Sequence, residues 1–163
     1  MKQLKYILLL SFFLFGLGMY AQQNLEIEAV FDEFGKQQGS ILIELEKDVL
    51  GENTRIAKYK SLVIKKQDNV LEAILEAIEV DIEGGLKLVE TKKDGRIESG
   101  RYCLSREKDS KTYEYVLFKN EPKRLTLVYL RGNFPPERLE RELKKLQNLF
   151  IQVNNKQIKL SQV

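Results

Sequence analysis

The sequence predicts an α+β domain in which an antiparallel sheet of about six strands carries helices packed on one face, behind an N-terminal signal peptide. Three observations predict it. Apolar residues recur at helical spacing in three places, β-rich runs fill the intervals, and Asp94-Gly95 marks a tight hairpin turn. No repeat, low-complexity stretch or Pro/Ser-rich linker interrupts residues 24–150, so residues 22–163 read as a single domain.

The chain opens with a charged stretch, residues 1–5, an apolar run, residues 6–19, and a small-residue exit at Ala21-Gln22-Gln23. That is the layout of a secretory signal peptide, with cleavage expected between Ala21 and Gln22. The run falls short of the roughly 20 apolar residues of a spanning helix, and Gly16 and Gly18 loosen its end. Met19 fits the cleavage pattern poorly, which leaves a retained inner-membrane anchor as the alternative. Otherwise the membrane is met only through this segment before cleavage.

Ile27, Val30, Phe31 and Phe34 form the stripe of a first helix, ended by Gly35 or Gly39. Asn69 and Glu72 have capping-box spacing ahead of a second stripe, Val70, Leu71, Ile74, Leu75 and Ile78, which Gly84-Gly85 stops. Pro136 suits the first position of a third helix with Leu139, Leu143, Leu146 and Phe150 inward. Strand character marks residues 40–47, 55–66, 86–92, 97–106, 111–119 and 123–131. With turns at Asp94-Gly95 and residues 120–123, the last four strands read as an antiparallel meander, and the order is αββαββββα. Residues 151–163 add either an edge strand or a frayed tail.

The chain of 163 residues has 27 basic and 24 acidic side chains, and the first 21 residues hold two of the lysines and no acid. A mature chain so close to neutral speaks against a nucleic-acid partner. Cys103, the one cysteine, can form no disulfide within the chain and reads as a small buried hydrophobe. There is no histidine, which removes Ser-His and Cys-His pairs and the commonest metal ligand. Ser105 and Lys108 have S-x-x-K spacing, but Lys111-Thr112 continues to tyrosine and no S-D-N follows, so the stretch reads as a polar turn. Glu79, Asp81, Glu83, Gly84 and Glu90 copy the spacing of a calcium loop, yet Val80 and Ile82 belong to a helix exit and no helix follows. Glu44 and Glu46 share one side of a strand, as a glycosidase acid and base would, and as any wet sheet face does. Basic runs at Lys58/Lys60, Lys65-Lys66, Lys92-Lys93 and residues 138–145 read as solvated faces. No catalytic residue, metal site or cofactor is expected.

Tyrosines give the one candidate interaction surface. Tyr113 and Tyr115 share a strand face and Tyr102 and Tyr129 lie on flanking strands, so on an uncovered face they would form an aromatic platform. Otherwise they cover the sheet or pack beneath a helix.

Two stretches carry a resemblance. Phe31-Asp-Glu-Phe-Gly-Lys-Gln-Gln-Gly39 runs into Ile41-Leu-Ile-Glu-Leu45 and Lys47-Asp-Val-Leu50, and Leu125-Thr-Leu-Val-Tyr-Leu130 is followed by Gly132 and the helix after Pro136. With the short leader ending Ala21-Gln22-Gln23, the chain resembles small exported Bacteroidetes proteins of an uncharacterised domain family. The resemblance implies an α+β module in the periplasm or on the surface of a Gram-negative envelope, with no activity attached. The expected function is a non-enzymatic protein- or ligand-binding module whose partner is another envelope protein, reached through an exposed sheet face or an edge strand. The alternatives are a hydrolase relying on carboxylates or a lysine-activated serine, and a membrane-tethered sensor accessory that keeps its N-terminal helix.

Overall fold

Residues 25–104, 110–147, 150–153 and 156–159 are described by a computed structural model. The predicted signal peptide and the Ser105/Lys108 spacing lie outside them. Two helices, α1 (Glu26–Phe34) and α3 (Asp68–Asp81), alternate with strands β1 (Ile41–Glu46) and β2 (Ile56–Lys65). A short helix, α2 (Lys47–Leu50), which the sequence reading missed, separates the two strands. The meander follows as β3 (Leu86–Lys93), β4 (Arg96–Cys103), β5 (Tyr113–Asn120) and β6 (Arg124–Gly132). A 3₁₀ turn (Pro136–Arg138) then leads into α4 (Leu139–Gln147).

The six strands form one sheet in the order β1-β2-β6-β5-β4-β3, every neighbouring pair antiparallel. The predicted class, strand number and order match this arrangement. Asp94 at φ 51° and Gly95 at φ 77° make the β3–β4 turn, where a left-handed backbone favours this pair. Residues of the C-terminal stretch form a separate hairpin, β7 (Phe150–Val153) with β8 (Lys156–Lys159), rather than an added edge of the main sheet. Phe150 therefore belongs to a strand and not to the stripe of α4. Among the described residues no helix is long and apolar enough to cross a membrane.

Helix placement differs from the expectation of one covered face. Val116, Phe118, Leu125, Leu127 and Tyr129 pack under Ile27, Val30, Phe31 and Phe34 of α1 and Val70, Ile74 and Ile78 of α3. Tyr115, Leu117, Val128 and Leu130 point the other way and pack with Phe134 and with Leu139, Leu143 and Leu146 of α4. β5 and β6 are apolar on both sides. Burying one such side chain contributes about 1.5–3 kcal/mol, so a bare second face would forfeit several of these contributions.

The helix ends also differ in detail. α3 begins at Asp68 behind Gln67 with no side-chain cap, which puts Asn69 inside the helix and leaves the Asn69/Glu72 capping box unformed. α1 has no cap of its own either. Asp81, the last residue of α3, supplies one: its two carboxylate oxygens accept the N–H groups of Glu26 and Ile27, each at 2.8 Å. Burial raises the Asp81 pKa, and these two bonds only partly oppose the rise.

Gly100 on β4 lies beneath the ring of Tyr102, whose hydroxyl donates to Glu90 on β3 at 2.9 Å. A Cβ at position 100 would strike that ring, and Tyr102 is too deeply buried to swing away. Gly100→Ala is expected to cost about 1–3 kcal/mol through overpacking, read as a lower midpoint in urea with an unchanged slope.

Candidate functional site

Chemically loaded side chains gather at one end of the sheet, where β1 ends, β2 begins and β6 ends. An open cleft of about 700 Å³ is lined there by Glu46, Lys47, Glu52, Arg55, Lys58, Thr112, Arg131 and Asn133, among others. A β-bulge at Ala57 shifts the β2–β6 register between Ile56 and Lys58, bending β2 at the cleft wall.

The wall is fixed from behind by Glu142. In α4 this residue follows the spacing of Leu139, Leu143 and Leu146, so it sits on the buried stripe, only 1% exposed. Its carboxylate accepts the Arg55 N–H at 2.8 Å, the Thr54 hydroxyl at 3.1 Å and the Lys145 ammonium at 2.8 Å. The Thr54 oxygen in turn accepts the Ile56 N–H at 3.1 Å. Burial alone would raise the Glu142 pKa, but the donors from Arg55, Lys145 and Thr54 outweigh it and hold it below the ordinary glutamate value.

Two further clamps act on the same turn. The Lys47 ammonium donates to the carbonyls of Gly51 and Thr54 at 2.8 and 2.5 Å, and the Arg55 carbonyl accepts the Asn133 N–H at 3.2 Å. A Cβ on Gly132 would come within 2.5 Å of the Arg55 carbonyl, so close approach of β6 requires glycine there. The backbone that carries Arg55 is thus held by a buried carboxylate, a lysine and the end of β6. Among the described residues, Arg55 and Arg131 make no ion pair, while Lys58 lies 3.9 Å from Glu28.

A second charged cluster is consumed internally. Lys60 shares a face of β2 with Leu62 and Ile64 and is buried, contrary to its reading as a solvated charge. It pairs with Glu28 at 2.8 Å and Glu44 at 2.9 Å and lies 4.9 Å over the Phe31 ring. Desolvation lowers the Lys60 pKa, but the two glutamates reverse the effect and raise it. Glu44 is therefore the partner of a lysine, and Glu46 lies opposite Lys58 at the cleft.

The four tyrosines do not share a surface. Tyr102 and Tyr129 both lie opposite Val116, which puts them on the face under α1 and α3, whereas Tyr113 and Tyr115 point to the α4 side. Tyr115 stacks on Phe134 with centroids 5.1 Å apart and donates its hydroxyl to the Phe134 carbonyl at 2.6 Å. Tyr129 donates to Glu114, and burial together with that carboxylate raises its pKa. Tyr102, Tyr115 and Tyr129 are core residues, so the aromatic platform does not form.

The calcium-loop spacing is also dispersed. Asp81 caps α1, while Glu90 accepts from Tyr102 and pairs with Lys87 at 2.9 Å. Among the described residues no group of three or more Cys, Asp or Glu side chains is placed to hold a metal ion.

Residues 14–143 match the family of unknown function DUF6108, a span that includes all six strands and Glu142. The chain belongs to DUF6108. No curated protein matches it. The DUF6108 region holds Arg55, Arg131 and the clamps behind them, and stops before the β7–β8 hairpin. Nothing local in the sequence announces the cleft, because its parts come from positions 46–58, 112, 131–133 and 142. One signal was present: Glu142 interrupts an otherwise apolar helical stripe.

Proposed function

We propose that this DUF6108 protein is an exported, non-enzymatic binding module of a Gram-negative envelope, of the Bacteroidetes type, that captures an extended segment of another envelope protein along the edge of β1. The charged, apolar and small-residue layout of residues 1–21 supports export to the periplasm or cell surface. The lack of any histidine and the commitment of the buried charges to structural pairs support a binding role over catalysis.

One observation carries the choice of surface: the two edges of the sheet are built differently. Outer strand β3 has an extra residue at Leu88 and carries Lys87, Lys92 and Lys93, devices that discourage strand addition. Outer strand β1 has neither lysine nor proline, and its six residues keep unbroken register with β2. Helices cover both sheet faces, so the backbone of β1 is the surface where main-chain hydrogen bonds can be gained. Ile41, 58% exposed, points to one side, and Glu44 and Glu46 point to the other. Self-pairing of two β1 strands would bring those glutamates together, whereas a partner strand alternating apolar and basic residues would match them.

The test is photo-crosslinking in the native envelope from position 41 or 44, compared with position 89 on β3, combined with the intact mass of the captured chain. A partner adduct from β1 alone, on a chain beginning at Gln22, is the expected result. Adducts from β3 alone, or a chain that keeps residues 1–21, would overturn the surface or the export reading respectively.

A further inference from the structure

Independently of strand addition, we infer that the cleft between β1, β2 and β6 is a binding site for a carboxylate, held between the guanidinium groups of Arg55 and Arg131. Both arginines line the cleft and neither has an ion-pair partner among the described residues. Arginine presents a planar fork of donors that matches a carboxylate in two parallel hydrogen bonds.

The neighbouring backbone is set in advance. The N–H of Arg55 is held by buried Glu142, its carbonyl by the Asn133 N–H, and Gly132 permits the close approach of the two strands. Such over-determination of an exposed turn by a buried charge keeps a binding residue in place at little entropic cost on association. Arg131 lies between Lys58 on β2 and Glu114 on β5, and Lys58 is drawn toward Glu28 at 3.9 Å, which leaves the guanidinium of Arg131 as the less committed of the two cations.

The balance of charge selects the kind of anion. Lys47 is committed to the Gly51 and Thr54 carbonyls and Lys58 pairs with Glu28, which leaves Arg55 and Arg131 in a lining that also holds Glu46 and Glu52. The two arginine forks suit a carboxylate, and the two glutamates repel a phosphate dianion more strongly than a monoanion. The carboxylate can be the C-terminus of a chain or an acidic side chain.

The experiment is a calorimetric titration of the full-length protein with four probes: a glycine-rich hexapeptide with a free C-terminus, the same peptide amidated, the amidated peptide with one internal aspartate, and inorganic phosphate. Binding of the free-acid or aspartate peptide, with the plain amide silent, supports the site and tells a chain end from a side chain. Arg55→Met and Arg131→Met, both at exposed positions, are each expected to weaken that binding by about ten- to a hundredfold, the range for losing a hydrogen bond between charged groups. Arg131→Lys should recover only part, because the ammonium lacks the fork. Phosphate binding as tight as the acid peptide, or peptide binding unmoved by both methionine variants, would overturn the assignment. A β1 variant such as Ile41→Lys should leave the titration unchanged, so failure here and failure of strand addition are distinguishable.

Discussion

Glu142→Leu is expected to destabilise the protein by about 2–4 kcal/mol, because it leaves the buried Thr54 hydroxyl and the part-buried Arg55 N–H without their acceptor. The carboxylate accepts from the Arg55 N–H, the Thr54 hydroxyl and Lys145, and Thr54 is itself buried. With leucine there, the buried Thr54 hydroxyl loses its acceptor without gaining water, and the part-buried Arg55 N–H is only partly solvated. Glu142→Gln keeps one acceptor oxygen and the shape, so roughly 1–2 kcal/mol is expected from it. In a chain of this size each kcal/mol lowers the melting temperature by roughly 2–4 °C, which makes the two variants separable in a thermal melt.

The same residue sets a pH dependence. Its pKa in the folded protein lies below the ordinary glutamate value, so the unfolded chain takes up the proton first as the solution is acidified. The stability contributed by the ionised carboxylate is present in full above the unfolded value of about 4.3 and is lost as pH falls through the lower folded value. The stability gap between the parent protein and Glu142→Gln should therefore be level from neutrality to about pH 5 and shrink below it. A gap that widens on acidification would contradict this account of Glu142.

Phe134→Ala is the second large effect, at about 3–5 kcal/mol. Phe134 is fully buried on the α4 side, stacked on Tyr115 and packed beside Gly132. Truncation leaves a ring-sized cavity between β5, the end of β6 and α4, and removes the partner of the stack. A fall in melting temperature of roughly 6–20 °C follows from the same size scaling. Chemical denaturation is the cleaner reading, since a midpoint shift at constant slope identifies a folded-state loss.

Helix stripes and hairpin turns were legible because they are local. Ile27, Val30, Phe31 and Phe34 need only a 3.6-residue period to be recognised, and Asp94-Gly95 needs only two adjacent residues. Distribution of the helices over the two faces differs from the one-sided expectation, although the signal stands in the strands: Tyr115-Val-Leu-Phe118 and Leu127-Val-Tyr-Leu130 are apolar without a break, and the structure buries every one of them, which a one-sided sheet does not do. The tyrosine platform failed on register. Tyr102 and Tyr129 align through Val116, while Tyr113 and Tyr115 fall on the opposite face, and strand alignment between distant segments is not encoded by residue type. The cleft was hidden for the same reason, since Arg55 meets Glu142 across 87 positions of sequence. Lys60 and Glu142 were the readable clues, each a charge placed on an apolar face and each satisfied by partners far along the chain.

Strand addition at β1 is tested most directly by hydrogen exchange of the backbone amides, with and without the partner identified by crosslinking. Amides of Ile41–Glu46 that face away from β2 should exchange rapidly in the protein alone and slow markedly in the complex, with β3 unchanged. Protection confined to β3 or to the helices, with β1 exchanging as before, would contradict the proposal.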